Sequence, residues 1–204
     1  MRDGNACVQL ASGGVRVVAI DPAAASLAVA RTKPGASAVE WIHGSASEAP
    51  KLGVDLAVMT GNVAQVFVND VEWQATLKAM WNALNPGGWF VFETRDPAAQ
   101  AWEKWTSEMT RREVDVVGVG RVVTWTELVD VALPLVTFRH VFCFDADGVE
   151  MMSTSTLRFR SGTEIESDLL RGGFRVDEVR DAPDRPGKEF VFLARKHHAG
   201  LSHG

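Results

Sequence analysis

The sequence has no run of basic residues, no long apolar segment and little cysteine, and each lack excludes a class of protein. Lys and Arg number 21 against 26 Asp and Glu, and no basic block could follow a phosphate backbone, so nucleic acid is not an expected partner. The longest apolar runs fall well short of the roughly 20 residues of a membrane-spanning helix, and the N-terminus lacks the basic and apolar regions of a signal peptide. The two isolated cysteines, Cys7 and Cys143, suit reduced thiols. We therefore predict a cytoplasmic protein without membrane contact.

The composition is that of an ordinary globular domain. Hydrophobic residues make up 46% of the 204 positions and charged residues 23%, which suits one core of substantial size. We assign residues 1–196 to a single domain and predict a disordered tail over 197–204. The tail histidines, His197, His198 and His203, lack the spacing of metal ligands, and no metal site is predicted.

The first 98 residues alternate short apolar segments with segments of helical periodicity. This alternation predicts a parallel sheet with helices on both faces. We read Asn85-Pro86-Gly87-Gly88 as a structural turn that ends the last of these helices. The predicted strands lie at 15–20, 39–43, 56–60 and 89–93. Three helices are predicted: one that ends near residue 11, one over 22–31 and one over 70–84.

The second half of the chain has a different pattern, in which strand-like runs predominate. After a predicted helix over 97–109, residues 114–160 carry three strand-like runs separated by turns, which predicts antiparallel hairpins. A helix at 164–171 follows, and two last strands, 174–179 and 189–194, are joined by a short connection. That connection predicts a closing antiparallel hairpin.

Asp21 is the most informative single residue. It ends an apolar strand and precedes Pro22, which suits the first turn of the next helix. In doubly wound folds, an acidic residue at the carboxyl end of a strand accepts hydrogen bonds from the two hydroxyls of a nucleoside's ribose. The alternative is that Asp21 only caps the following helix, where the helix dipole favours a carboxylate.

Three segments in this order, VVAIDPAAASLAVAR, MTGNVAQVF and LNPGGWFVFETRDP, resemble the class I S-adenosylmethionine-dependent methyltransferases. The similarity is greatest to small bacterial members with a β-rich insertion before the last helix. The resemblance implies a Rossmann-like doubly wound sheet with an antiparallel last strand. It also implies S-adenosylmethionine as cofactor and methyl transfer to an O or N atom of a small-molecule acceptor. Residues 114–160 would then form a lid that sets substrate choice.

The resemblance also assigns cofactor-binding residues, each at the end of a strand or in the turn after it. Asp21 matches the acid that binds the ribose, with Pro22 and Ala23 on the adenine side. Ser45 stands where the family commonly has an acid near the adenine amino group, so a hydroxyl replaces the expected carboxylate. The complete cofactor-binding set is Gly4, Asp21, Pro22, Ser45, Ala46, Thr60, Gly61 and Asn62. Thr60 to Asn62 would face the methionine end of the cofactor and the substrate, although Gly-Asn is also common in plain turns.

Three further residues are weaker candidates for contact with the substrate. Glu93 and Arg95 end the fourth strand, where open α/β sheets place ligands, but an ion pair between Arg95 and a neighbouring carboxylate is the slightly favoured explanation. His140 lies on an apolar strand, and a lone histidine there is more often a hydrogen-bonded core residue than a base. No catalytic residue is assigned, because the sulfonium already activates the methyl group and the protein chiefly aligns donor and acceptor.

One departure from the family pattern is large. The family begins with a central strand and a glycine-rich turn, of which only Gly4 has a counterpart here. Without that strand, the edges at 15–20 and 56–60 face each other unpaired, which predicts aggregation or a homodimer. We therefore expect either a longer natural chain that begins upstream of Met1, which we favour, or a sheet that has repacked or recruited a substitute strand.

Two other functions fit parts of the sequence. A chain without the glycine turn could be a non-catalytic methyltransferase-like remnant or partner subunit that binds no cofactor. A strand ending in an acid also suits a nicotinamide-dependent dehydrogenase. The closing antiparallel hairpin and the missing dinucleotide fingerprint disfavour the dehydrogenase.

Overall fold

A computed structural model describes residues 4–197, so the predicted tail from 198 onward lies outside the described residues. The chain forms five α-helices and ten strands over this range, with short 3-10 turns between them. The helices are α1 (Asn5–Ser12), α2 (Ala24–Arg31), α3 (Asp70–Ala83), α4 (Ser107–Thr110) and α5 (Gly162–Arg171). The strands are β1 (Val17–Asp21), β2 (Val39–His43), β3 (Val54–Met59), β4 (Leu84–Arg95), β5 (Arg112–Val116), β6 (Gly120–Ala132), β7 (Leu135–Phe144), β8 (Glu150–Arg158), β9 (Phe174–Asp181) and β10 (Glu189–Lys196).

The largest core lies against the sheet β3-β4-β10-β9. β3 and β4 run parallel, whereas β10 is antiparallel to both β4 and β9, as the closing hairpin predicted. Phe92 of β4 stacks on Phe192 of β10 with ring centroids 5.3 Å apart, and Trp73 of α3 meets Phe92 edge-on at 5.8 Å. The indole of Trp73 donates a hydrogen bond of 2.8 Å to the buried carboxylate of Asp168, which ties α3 to α5.

β1 and β2 form a separate parallel pair, in register from Val17 opposite Val39 to Asp21 opposite His43. Within residues 4–197, β1 pairs only with β2 and β3 only with β4, so the predicted doubly wound sheet is divided in two. The division falls where the family has its central strand. Leu56 and Val58 on β3 are 53% and 48% exposed. The Rossmann-like α/β fold class is confirmed, together with its open edges.

The β-rich insertion contains the predicted antiparallel hairpins, but it has four strands in the order β5-β6-β7-β8, because β5 precedes the three predicted runs. The helix predicted over 97–109 is wrong. Two 3-10 turns, Pro97–Ala99 and Ala101–Lys104, precede the single turn of α4. Gln100 between them has a φ of 45°, a left-handed conformation that a continuous helix does not allow.

β4 is longer than the predicted 89–93 and includes the Asn85–Gly88 segment, where Gly87 has a φ of 76°. The turn is therefore an irregularity at the start of the strand rather than a break before it. In the part of the chain that the structure describes, no helix has the length and hydropathy needed to cross a membrane.

Candidate functional site

Asp21 and Gly4 come together at the carboxyl end of β1. Both border a cavity of about 10 Å³, which Trp41 also lines and which has room for about one water molecule. Asp21 Oδ1 accepts a hydrogen bond of 2.8 Å from the amide of Ala23. A carboxylate accepts several hydrogen bonds at once, so this bond at the start of α2 is compatible with binding ribose hydroxyls.

Gly4 has a structural reason to be glycine. Its φ is 71°, and a Cβ at this position would lie 2.7 Å from Trp41 Cη2 and 3.0 Å from Ala30 Cβ. The bare α-carbon thus lets the start of α1 pack directly on β2 and α2.

Ser45 follows β2 and begins a 3-10 turn. Its hydroxyl accepts from the amide of Ser47 at 3.4 Å, while Glu48 Oε2 accepts from the Ser45 amide at 3.0 Å. Ser45 therefore serves as a cap, and the adenine contact stays a prediction. Glu48 is a carboxylate that the sequence analysis missed, although the Ser-x-x-Glu spacing of a capping box identifies it. Beside this turn, His43 Nε2 donates to Pro22 O at 3.0 Å and joins the ends of β1 and β2.

The turn after β3 is fixed by β4. Gly61 and Asn62 both have left-handed backbones, with φ of 70° and 61°. The amide of Gly61 donates to Glu93 Oε1 at 2.6 Å, so the structure brings together two predicted site residues from neighbouring strands. Thr60 is exposed at the entrance to this turn.

A buried polar cluster adjoins the turn; we define it as Asn62, Gln65, Arg95 and Glu189. Asn62 Nδ2 donates to Glu189 Oε1 at 3.1 Å, and Arg95 Nη1 donates to Gln65 Oε1 at 2.9 Å. Three of the four side chains are almost inaccessible, since Asn62, Gln65 and Glu189 are 3%, 1% and 4% exposed. Three of their polar atoms, Asn62 Oδ1, Gln65 Nε2 and Glu189 Oε2, have no hydrogen-bond partner among the described residues.

Two guanidinium groups approach the Glu189 carboxylate. Arg185 Nη1 lies 2.6 Å from Glu189 Oε1, and Arg95 Nε lies 3.9 Å from the same oxygen. Burial alone lowers the pKa of Arg185, but its hydrogen bond to Asp184 and the charge of Glu189 raise that pKa overall. Gln65, Arg185 and Glu189 were not predicted as site residues from the sequence. The signal for Glu189 was its place at the start of the last strand, which pairs antiparallel with the strand that ends at Arg95.

The insertion contacts this cluster through aromatic rings. Arg95 lies 5.7 Å from the ring centre of Trp105, which meets Phe138 of β7 at 4.9 Å. His140 continues the row, 5.0 Å from Phe138, and its Nδ1 is hydrogen-bonded to Thr126 Oγ1 at 2.9 Å. The structure thus places His140 in an aromatic wall, separated from the polar cluster by Phe138 and Trp105. No group of three or more His, Cys, Asp or Glu side chains in residues 4–197 is arranged to hold a metal ion.

Residues 2–88 match the family described as "Methyltransferase domain". Over this segment the chain is similar to methyltransferase domains. A solved S-adenosylmethionine-dependent methyltransferase from Clostridium acetobutylicum superposes with a TM-score of 0.76 at 16% identity, over 96% of this chain and 81% of that one. The CcbJ methyltransferase from Streptomyces caelestis superposes with a TM-score of 0.74 at 17% identity, over 93% of this chain and 78% of that one. CalS10, an amino pentose methyltransferase from Micromonospora echinaspora, superposes with a TM-score of 0.63 at 18% identity, over 89% of this chain and 74% of that one. No curated protein matches the sequence significantly.

The match over residues 2–88 supports the predicted methyltransferase family, and the solved structures confirm the predicted fold. The methyltransferase domain holds its predicted site residues in two groups. Gly4, Asp21 and Ser45 lie around the ends of β1 and β2, whereas the turn after β3 lies with Glu93, Arg95 and the polar cluster.

Proposed function

We propose that this methyltransferase transfers the methyl group of S-adenosylmethionine to a hydroxyl or amine of a small molecule. The cofactor supplies a sulfonium-bound methyl group that an oxygen or nitrogen nucleophile attacks in line. The observation that carries the proposal is the pairing of Asp21 with Gly4 at the end of β1, which offers a carboxylate beside backbone without a side chain. CalS10, an amino pentose methyltransferase with a similar fold, supports a small-molecule acceptor.

Each group of site residues has a proposed task. Asp21 accepts hydrogen bonds from the ribose hydroxyls of the cofactor, and the turn around Gly61 faces its methionine end. Glu93 holds that turn in place through the Gly61 amide. We assign no general base, because His140 is bonded to Thr126 within the aromatic wall and alignment of the reactants is the main requirement.

The chain offers a matched pair of variants to test the role of Asp21. Asp147, in the turn between β7 and β8, accepts a hydrogen bond from the amide of Val149 at 3.0 Å, the same two-residue pattern that joins Asp21 to Ala23. Asp21→Asn and Asp147→Asn therefore perturb similar local bonds. In calorimetric titration with S-adenosylhomocysteine, we expect Asp21→Asn to weaken binding by about tenfold or more and Asp147→Asn to leave it within about twofold.

Transfer of a radioactive methyl group from S-adenosylmethionine to a set of small alcohols and amines then tests the acceptor class. Equal S-adenosylhomocysteine affinities in the two variants would contradict the role of Asp21. A cooperatively folded chain that binds no S-adenosylhomocysteine would instead favour the non-catalytic partner subunit.

A further inference from the structure

The side chain of Asn62 bonds to a distant strand rather than to its own turn. Asn62 precedes the 3-10 turn Val63–Val66, a place where an asparagine commonly caps the first amides. Among the described residues, its side chain caps none of those amides. Its Nδ2 instead donates to Oε1 of Glu189 at 3.1 Å, across 127 residues of sequence. Local turn chemistry therefore does not account for this side chain.

The bond to Glu189 determines which way the Asn62 amide points. An ionised carboxylate accepts hydrogen bonds and donates none, so the NH2 group of Asn62 has to face it. Arg185 Nη1 lies 2.6 Å from the same carboxylate oxygen and supplies the opposite charge. Asn62 and Glu189 are only 3% and 4% exposed, so water does not compete for the bond.

The other end of the same 3-10 turn is held by the same pair of strands. The amide of Gln65 donates to Asn62 O at 3.0 Å, and Gln65 Oε1 accepts from Arg95 Nη1 at 2.9 Å. Arg95 ends β4 and lies opposite Glu189 of β10 in the antiparallel pairing. The β4–β10 pair thus holds both ends of the turn that follows β3.

Stability alone does not explain a buried carboxylate at position 189. Removing a charge from water costs much of the energy that a buried ion pair returns, and an apolar side chain of similar volume is often at least as stable. An apolar side chain at the start of β10 could not accept the hydrogen bond from Asn62. The carboxylate therefore contributes a fixed geometry that an apolar residue would not supply.

We propose that Glu189 is a positioning residue that fixes Asn62 and, through it, the turn that faces the cofactor. The inference rests on the proposed function, in which this turn faces the methionine end of S-adenosylmethionine. Glu189 acts through Asn62 and is itself too buried to contact the cofactor. Glu93 already holds the neighbouring Gly61 by its amide. Two carboxylates from adjacent strands thus fix two successive residues of the turn.

A swap of the two side chains tests this pairing directly. Glu189→Gln removes the charge, whereas Asn62→Asp sets a second carboxylate against Glu189 at a left-handed φ that aspartate tolerates. In the double variant, the new glutamine can donate to the new aspartate, and the cluster again holds one carboxylate and one amide. We expect each single variant to weaken S-adenosylhomocysteine binding in calorimetric titration by about threefold or more. The double variant should bind within about twofold of the wild type.

Asp168→Asn is the matched control. Asp168 is 3% exposed, accepts a hydrogen bond from the uncharged side chain of Trp73 and pairs with Arg171, as Glu189 does with Asn62 and Arg185. Its bonds, however, join α3 to α5 and do not reach the turn after β3. Asp168→Asn should lower the free energy of unfolding and leave S-adenosylhomocysteine affinity within about twofold of the wild type. A purely structural Glu189 would behave in the same way.

Amide hydrogen exchange of the ligand-free chain, measured by mass spectrometry, reports on the turn itself. Glu189→Gln should raise the exchange rate over residues 60–66 by about threefold or more, whereas Asp168→Asn should not. Thermal melts establish folding of each variant. If Glu189→Gln does not fold, Asn62→Gly removes the same bond at a φ that glycine readily adopts, and it should show the same two effects.

Wild-type affinity in folded Glu189→Gln, or in folded Asn62→Gly where that variant replaces it, would overturn the proposal. A loss of affinity that the double variant does not relieve would overturn it as well. A folded wild type that binds no S-adenosylhomocysteine rejects the proposed function instead. Amide exchange over residues 60–66 then decides on its own whether Glu189 fixes the turn.

Discussion

Gly61 donates its amide hydrogen to Glu93 across 2.6 Å, so the carboxylate at the end of β4 fixes the turn that follows β3. The bond joins two parallel strands at their carboxyl ends, which is where open α/β sheets bind ligands. It also explains how the short Thr60-Gly61-Asn62 turn is held in place. The turn contains no side chain that holds Gly61, because the holding group lies 32 residues away in the sequence.

Removing the Glu93 carboxylate should loosen this turn. We expect Glu93→Ala to lower the free energy of unfolding by about 1–2 kcal/mol, since a charge-assisted hydrogen bond is lost. S-adenosylhomocysteine binding should weaken by about three- to tenfold, because the turn faces the cofactor in the proposed function. Urea unfolding and calorimetric titration measure the two effects. Glu40→Ala, at an exposed position on β2, is the control, and an equal effect of both variants on binding would contradict the role of Glu93.

Local patterns predicted much of the fold. The alternation of apolar runs with helical segments gave the parallel pairs, and the short connection before residue 189 gave the antiparallel last strand. The same reasoning failed over 97–109. Trp102 and Trp105 have helical spacing, but the left-handed Gln100 and the caps at Asp96 and Thr106 divide the segment into separate turns. Helical spacing alone does not show where such caps interrupt the chain.

Substitution of Gly4 can separate the stability cost of close packing from the cost of backbone strain. Gly4→Ala forces a left-handed alanine and places its Cβ 2.7 Å from Trp41. Gly14→Ala has the same strain, with a φ of 84°, but no atom within 4 Å of the new Cβ. We expect both variants to lose about 1 kcal/mol from strain and Gly4→Ala to lose a further 1–3 kcal/mol or so from overpacking. Urea unfolding of the two proteins gives the difference, and equal losses would show that Trp41 moves away freely.

The polar cluster shows what sequence reasoning could not reach. Asn62 and Glu189 are bonded although 127 residues separate them, and no local pattern links the two positions. The antiparallel pairing of β10 with β4 was predicted, but its register was not, and the observed register sets Glu189 opposite Arg95. The register of that pair, and not the identity of either residue, locates the site.

Lys196 should make stability depend on pH. Its Nζ donates to Leu84 O at 2.7 Å and lies 3.8 Å from the ring centre of Trp81. Burial, and then the like charge of Lys51, lower the pKa of Lys196 below its ordinary value. Between the lowered pKa and the ordinary one, the unfolded chain binds more protons, so the folded state gains stability as pH rises.

Lys196→Met removes this titration, and the wild type should therefore become more stable relative to Lys196→Met as pH increases from 7 toward 10. Urea unfolding of the two proteins at several pH values measures the trend. A difference in unfolding free energy that is constant across this range, or one that moves the opposite way, would contradict the lowered pKa.

The open edge of β3 makes self-association the expected behaviour of the 204-residue chain. β3 pairs only with β4 within residues 4–197, and its side chains Leu56 and Val58 remain about half exposed. An exposed apolar edge strand invites pairing with another chain, and a lysine on such a strand prevents it. We expect light scattering to show dimers or larger species for the wild type and a shift toward monomer for Val58→Lys. Val29→Lys, on the equally exposed surface of α2, is the control because a helix offers no unpaired backbone edge. A wild-type monomer with a cooperative melt would mean that the two sheet edges are already satisfied within one chain.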